Sequence, residues 1–87
     1  MASSPKTQLA AFLTAKGRKF TGQMAHVVDV VLSRSGTFTH EDVVAEACGV
    51  AGRATVYRTL AHMVEVDVLR QVQFNGREVL VATAAEG

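Results

Sequence analysis

The run Arg53-Ala54-Thr55-Val56-Tyr57-Arg58 and the later pair Asn75-Gly76 decide the fold predicted for this chain. The run opens a helix over residues 53–66, whose apolar residues recur every three or four positions on one side. An Asn-Gly pair between two short apolar runs is the strongest local signal for a β-hairpin, here over residues 68–82. A helix followed directly by a hairpin is typical of a winged helix-turn-helix, a mainly α fold with a small two-stranded β wing.

Signals for two further helices precede this run. Ser4-Pro5 combines a capping serine with a proline suited to the first helical position, which predicts a leading helix over residues 5–17. Thr21 can cap a second helix over residues 21–35, and its valines and leucines recur on one side. We expect this second helix to lie at the centre of the core.

A helix-turn-helix is predicted over residues 40–67. Thr39 and Asp42 have the spacing of a capping box, which starts a short third helix, and Thr37-Phe38 just before them can form a tiny strand. The small and glycine-rich residues 48–52 then supply a turn before the helix that begins at Arg53.

The composition is that of one small globular domain. The chain has 87 residues, of which 48% are hydrophobic and 20% charged, and this is too apolar for a disordered tail. We expect a single domain over residues 1–87 with three to four helices, the wing and a frayed tail at 83–87. The apolar runs are too short to cross a bilayer, and the N-terminus does not follow the pattern of a signal peptide. A cytoplasmic location is therefore expected, with no membrane partner.

Metal binding and catalysis are not expected. Cys48 is the only cysteine, has no CxxC partner and is predicted to be a small buried residue at a helix end. His26, His40 and His62 fall on three different helices without the spacing of metal ligands. An enzyme is the weakest function class, because the chain offers neither a nucleophile–base pair nor converging acids.

The charge is unevenly distributed, although the net charge is only +1. Residues 1–39 carry five basic residues against one acid, whereas residues 40–69 carry five acids against two arginines. Lys16, Arg18 and Lys19 form a basic corner between the first two helices, which suits contacts with phosphate groups. Arg77 beside the hairpin turn is a further candidate for a phosphate contact.

The helix at 53–66 carries side chains that suit the major groove of DNA. On a helical wheel Arg58 points farthest from the apolar side, Thr55 and Tyr57 flank it, and Arg53 is turned partly toward the core. Arginine can form two hydrogen bonds with guanine, and threonine or an aromatic ring can contact a thymine methyl group. All four residues lie in the first two turns, where the second helix of a helix-turn-helix contacts bases. The sequence therefore predicts that they bind duplex DNA.

Residues 54–60, Ala-Thr-Val-Tyr-Arg-Thr-Leu, resemble the Ala-Thr-Val-Tyr-Arg signature of the ferric uptake regulator (Fur) family. Residues 17–21 resemble the family's Gly-Leu-Lys-x-Thr segment, residues 39–43 resemble its Ser-Ala-Glu-Asp-Leu helix start, and the resemblance covers residues 9–81. It implies a bacterial winged-helix regulator, usually a metal-responsive repressor, that binds A·T-rich operators as a dimer. It also implies that Tyr57 packs on thymines, that Arg58 contacts bases or the backbone, and that Lys19 reaches phosphate or the minor groove.

The sequence departs from this family where metal sensing is concerned. Members normally continue into a second domain that dimerises and binds a regulatory metal through a His-His-x-His run, to which none of these 87 residues corresponds. Thr37 and Val81 occupy positions where some members have a metal-binding His and Glu, and Met24 replaces a usual arginine. We therefore expect no regulatory iron or zinc site in this sequence. Dimerisation is expected as a homodimer on DNA or through a heteromeric partner.

The main alternative is a winged helix that binds proteins. The low net charge favours this class, in which the chain would modulate longer members of the family without binding DNA on its own. The exposed arginine, tyrosine and threonine side chains of the helix at 53–66 favour DNA instead. The two classes differ in salt dependence, because phosphate contacts release counterions and contacts between proteins need not do so.

Overall fold

The computed structural model describes residues 4–82, and the predicted tail at 83–87 lies outside this range. The described chain is a small α+β fold with four helices and a three-stranded antiparallel sheet. The elements in chain order are α1 (Pro5–Ala15), α2 (Gly22–Leu32), β1 (Thr37–Phe38), α3 (His40–Glu46), α4 (Arg53–Glu65), β2 (Leu69–Phe74) and β3 (Arg77–Ala82).

The three predicted helix caps are present. The hydroxyl oxygens of Ser4 and Thr21 each accept a hydrogen bond from the backbone N–H three residues on, both at 3.2 Å. Thr39 and Asp42 form a complete capping box, in which each side chain accepts from the other's backbone N–H, at 3.1 and 3.0 Å. Because these bonds satisfy donors that a helix start leaves unpaired, they fix where α1, α2 and α3 begin.

Two helices end earlier than predicted. α1 ends at Ala15 rather than residue 17, because Gly17 takes the left-handed conformation (φ +75°) and Arg18 donates its backbone N–H to Leu13 at 2.8 Å. α2 ends at Leu32 rather than residue 35. In both cases the last two or three residues predicted as helix belong instead to the turn that ends the helix.

The sheet has three strands, whereas a two-stranded wing was predicted. The hairpin has the expected register, with Phe74 opposite Arg77, and Asn75 and Gly76 have the positive φ angles of a type I′ turn. However, β1 pairs with the other edge of β3, so the sheet has the order β1-β3-β2. Phe38 of β1 is buried, and this burial helps to hold β1 against the backbone groups that β2 leaves unpaired on β3.

The core lies between the helices and one face of the sheet. α2 and α4 form its centre, and α1, α3 and the sheet pack around them. The largest fully buried side chains include Leu9, Leu13, Val27, Val28, Val31, Val43, Val56, Leu60, Met63, Leu69 and Leu80. Because α4 buries one side in this core, its opposite side is presented at the surface.

The turn between α3 and α4 differs from expectation at Cys48, which is exposed rather than buried. The inward positions of this turn are taken by Ala47 and Ala51, four residues apart and both buried. The backbone N–H of Ala51 donates to the carbonyl of Ala47 at 3.0 Å, so the turn continues with nearly helical spacing. Cys48 therefore points away from the core.

Candidate functional site

The exposed side of α4 is the surface that the wheel predicted. Val56, Leu60 and Met63 are buried, whereas Ala54, Arg58, Ala61 and Glu65 form an exposed ridge along the helix. Arg58 is the only cation on this ridge, and it forms no hydrogen bond or ion pair with any residue of the range 4–82. Its guanidinium is therefore open to a ligand outside the described chain.

Thr55 lies on one flank of this ridge and is half-buried. Its carbonyl oxygen accepts a hydrogen bond from the hydroxyl of Thr59 at 2.7 Å. Thr59 is fully buried, and it was not predicted to face the core. This bond satisfies a hydroxyl that would otherwise be unpaired in an apolar environment, so Thr59 can take a core position one turn below Thr55.

The other flank of the ridge is bound to α3 by one carboxylate. Oε2 of Glu41 accepts a hydrogen bond from the Tyr57 hydroxyl at 2.7 Å, and the same oxygen pairs with Nη1 of Arg53. Arg53 and Tyr57 are four residues apart and therefore neighbours on the helix surface. One oxygen on α3 thus holds two predicted site residues of α4.

An aromatic contact completes this arrangement. The ring of His40 is stacked on the ring of Tyr57, with centroids 4.8 Å apart and an interplanar angle of 16°. Tyr57 is nevertheless 40% exposed. We call the four side chains His40, Glu41, Arg53 and Tyr57 the α3–α4 polar cluster. The tyrosine in it is held through both its ring and its hydroxyl group.

The hydrogen bonds of the cluster shift the ionisation of its members. Donation from Arg53, and then from Tyr57, lowers the pKa of the Glu41 carboxyl. The acceptor Glu41 in turn raises the pKa of Arg53 and the pKa of Tyr57. These directions favour an ionised carboxylate, a charged guanidinium and a neutral phenol. The cluster therefore presents one negative and one positive charge side by side.

The structure corrects the prediction for Arg53. Its side chain is 61% exposed and turned toward α3 rather than toward the core. The physical reason is Glu41, whose carboxylate lies within reach at the start of α3. Neither Glu41 nor His40 was predicted as a site residue. An acid in the first turn of a helix is already explained by the helix dipole, and His40 was considered only as a metal ligand. The sequence did carry one signal for this contact, because Glu41 lies in the first turn of α3 and Arg53 begins α4.

One residue of the basic corner is connected to the last turn of α4 through an aromatic contact. Lys16, Arg18 and Lys19 are all exposed in the connection between α1 and α2. The ammonium of Lys16 lies 4.9 Å from the ring centroid of Phe12, and that ring lies against His62 of α4, with centroids 5.7 Å apart. This chain of contacts joins the corner to the flank of α4 opposite the α3–α4 polar cluster.

Arg77 is the predicted site residue on the hairpin. It is exposed at the hairpin tip, opposite Phe74, which is 59% exposed. Among residues 4–82 it forms no hydrogen bond or ion pair with a side chain of α4 or of the basic corner. The hairpin tip therefore exposes one cation and one aromatic ring.

Residues 4–82 hold no group of three or more His, Cys, Asp or Glu side chains placed to bind a metal ion. None of the four helices in this range is long and apolar enough to cross a membrane. Comparison of the chain with protein-family models, with curated proteins and with solved structures gave no match.

Proposed function

We propose that this chain is a sequence-specific DNA-binding regulator of transcription, similar to the repressors of the ferric uptake regulator family. In this proposal the fold is a winged helix, α3 and α4 are its helix-turn-helix, and the β2–β3 hairpin is its wing. α4 enters the major groove of A·T-rich duplex DNA, in the bacterial cytoplasm, and the basic corner contacts phosphates.

The observation that carries this proposal is the exposed ridge of α4 with the unpaired Arg58. Tyr57 and Thr55 flank this arginine in the first two turns, Tyr57 on the α3 side with its ring 40% exposed and Thr55 half-buried on the other side. These groups match the hydrogen-bonding edge of guanine and the methyl group of thymine. Arg18, Lys19 and Arg77 are exposed cations without an acidic partner in residues 4–82, which suits contacts with phosphates.

A second observation supports the family resemblance. Thr37 and Val81, which stand where some members have a metal-binding His and Glu, are directly paired between β1 and β3. Two positions that carry metal-binding residues in some members are therefore neighbours in this chain. Their threonine and valine side chains are poor metal ligands, so we propose regulation without a metal ion at this position.

The proposed interface is small, and this has a consequence for affinity. A single module of this kind buries only a modest area on DNA. We therefore propose weak binding by one copy. Tighter binding needs two half-sites occupied by a homodimer, or a heteromeric partner that supplies dimerisation.

Protein binding is the second candidate function, and one surface favours it. A shallow groove between α3 and the start of α4 is lined by Val44, the turn residues 48–52 and Arg53, and Val50 is 46% exposed. An apolar side chain of a partner protein could fill this groove. In that case binding would depend little on salt, because few phosphate contacts would be lost.

The proposal is tested by fluorescence anisotropy with a labelled A·T-rich palindromic duplex at two salt concentrations. We expect Arg58→Ala to weaken binding by about tenfold or more, since one well-placed arginine contact is worth about 1–3 kcal/mol. Lys6→Ala is the control, because Lys6 already pairs with Asp29 at 2.8 Å and contributes little free charge. Equal affinity of Arg58→Ala and wild type, or a salt slope near zero, would contradict the proposal.

A further inference from the structure

We propose that Glu41 is a positioning residue that sets the selectivity of the DNA-binding surface, an inference that rests on the proposed function. Its carboxylate holds Arg53 and Tyr57 in one geometry and keeps Arg53 away from phosphates. DNA of any sequence is then bound less tightly, whereas the sequence that fits the fixed side chains retains its contacts. Glu41 thus lowers affinity and raises discrimination.

The contacts of the α3–α4 polar cluster restrict two side chains that are otherwise flexible. Arginine is long and flexible, and a tyrosine on a helix surface can turn about its first side-chain bond. Here the guanidinium and the hydroxyl meet on one oxygen of Glu41, and His40 covers one face of the tyrosine ring. Both side chains are therefore arranged before DNA arrives, which reduces the entropy lost on forming specific contacts.

The negative charge of the Glu41 carboxylate also affects binding to DNA. A negative group on a surface that faces phosphates weakens binding to every duplex, and it neutralises the nearest cation, Arg53. In a chain with a net charge of only +1, this is a costly place for an acid if affinity alone matters. A contribution that weakens binding to every duplex increases specificity when the correct sequence offsets it. The correct sequence does so through contacts that other sequences do not make.

The stability of the fold does not account for this arrangement. The side chains of Arg53 and Glu41 are 61% and 56% exposed, and ion pairs at such exposed positions stabilise proteins little. α3 already has a capping box formed by Thr39 and Asp42, so its start does not depend on Glu41. The contact has a clearer role in arranging the surface of α4.

The chain offers a matched control on the same helix. Glu46 lies at the end of α3 and pairs with Arg34 at 2.6 Å, and none of its hydrogen bonds or ion pairs involves α4. Replacing Glu46 by Gln removes the same charge as replacing Glu41 by Gln. A difference between Glu41→Gln and Glu46→Gln therefore reports the contacts with Arg53 and Tyr57, rather than the net charge.

The experiment begins with wild-type protein and a random library of duplexes with about two helical turns of variable sequence. The best recovered duplex and a scrambled version of it are then used to measure Kd by anisotropy across a salt series. Relative to Glu46→Gln, we expect Glu41→Gln to bind the scrambled duplex about fivefold more tightly and to lose about tenfold in the ratio of the two affinities. The salt slope should steepen by about 0.9, because the released Arg53 gains a phosphate contact.

The double variant Glu41→Gln with Arg53→Ala separates positioning from folding. If Glu41 acts through Arg53, the salt slope of the double variant should return to the wild-type value. If Glu41→Gln instead disrupts the fold, the added substitution would not bring the slope back. Equal selectivity and equal salt slopes for Glu41→Gln and Glu46→Gln would overturn the role of Glu41 while leaving the DNA-binding function intact. If wild-type protein enriches no sequence and binds neither duplex, the function and the inference both fail.

Discussion

Tyr57 and Arg58 are adjacent in the sequence, yet they are in different states in the folded protein. Tyr57 is stacked on His40 and bound through its hydroxyl to Glu41, whereas Arg58 has no hydrogen-bonding or ionic partner in residues 4–82. The neighbouring positions of a helix point about 100° apart, so one faces α3 and the other faces outward. The surface of α4 therefore combines one aromatic ring that is held in place with one cation that has no partner in residues 4–82.

The lowered pKa of Glu41 gives a prediction at the scale of the residue. Because Arg53 is its main cause, Arg53→Ala should raise the pKa of Glu41 toward its ordinary value. The measurement is an NMR titration of the Glu41 side-chain carboxyl carbon. Arg34→Ala is the control, since Arg34 pairs with Glu46 instead, and it should leave the pKa of Glu41 unchanged.

The same shift fixes the direction of the pH dependence. A carboxyl whose pKa is lower in the folded protein stabilises the fold above its unfolded pKa, and this contribution is lost as the pH falls through the folded value. The raised pKa of Tyr57 acts at the other end, because its contribution is lost as the pH rises above the ordinary range of tyrosine. Both effects on stability should be small, since the groups are exposed. An unchanged pKa of Glu41 in Arg53→Ala would show that the pair does not persist in solution.

At the scale of the elements, α3 determines where Glu41 and His40 lie. The capping box of Thr39 and Asp42 fixes the first turn of this seven-residue helix, and His40 and Glu41 are in that turn. Short helices depend strongly on their caps, because few internal hydrogen bonds compensate for the unpaired ends. The start of α3 therefore supports the α3–α4 polar cluster directly.

The cap gives a prediction for stability. Thr39→Ala should lower the free energy of unfolding by about 1 kcal/mol, because the backbone N–H of Asp42 loses its acceptor. Thr39→Ser keeps the hydroxyl oxygen and should lose much less. Urea unfolding followed by circular dichroism measures both variants. Equal losses in the two would mean that the methyl group of Thr39, rather than its hydroxyl, is what matters.

Local signals in the sequence predicted several of these elements correctly. The caps at Ser4, Thr21 and Thr39 and the register around Asn75-Gly76 depend on residues within a few positions of one another. Their hydrogen bonds are formed within one turn of the chain, so residue type and spacing suffice to identify them.

The features that were missed depend on contacts between distant parts of the chain. The tiny strand at Thr37-Phe38 was predicted, but its pairing with β3 across more than forty residues was not, because a two-residue strand carries no pattern that identifies its partner. The pairing of Glu41 with Arg53 depends on how the turn at 47–52 sets α3 against α4. Periodicity states which side of each helix is apolar, but it does not state which polar residues meet across two helices.

At the scale of the whole molecule, the exposed ridge of α4 lies between two polar surfaces of different character. On one side the α3–α4 polar cluster holds a carboxylate, and on the other the contacts through Phe12 and His62 lead to the basic corner. The acid therefore lies beside the first turns of α4, whereas the basic corner is connected to its last turn. This asymmetry fits a surface that combines phosphate attraction with selective base contacts.

The central claim is that the outward side of α4 binds DNA, and the most direct test is an NMR titration of the backbone amides with an A·T-rich duplex. We predict that the largest shifts fall in the first turns of α4, around Arg58, and at the basic corner 16–19, and that they weaken at higher salt. Two results would contradict the central claim. One is shifts confined to the groove at Val44 and Val50, and the other is no shifts even at duplex concentrations at which weak nonspecific binding would occur.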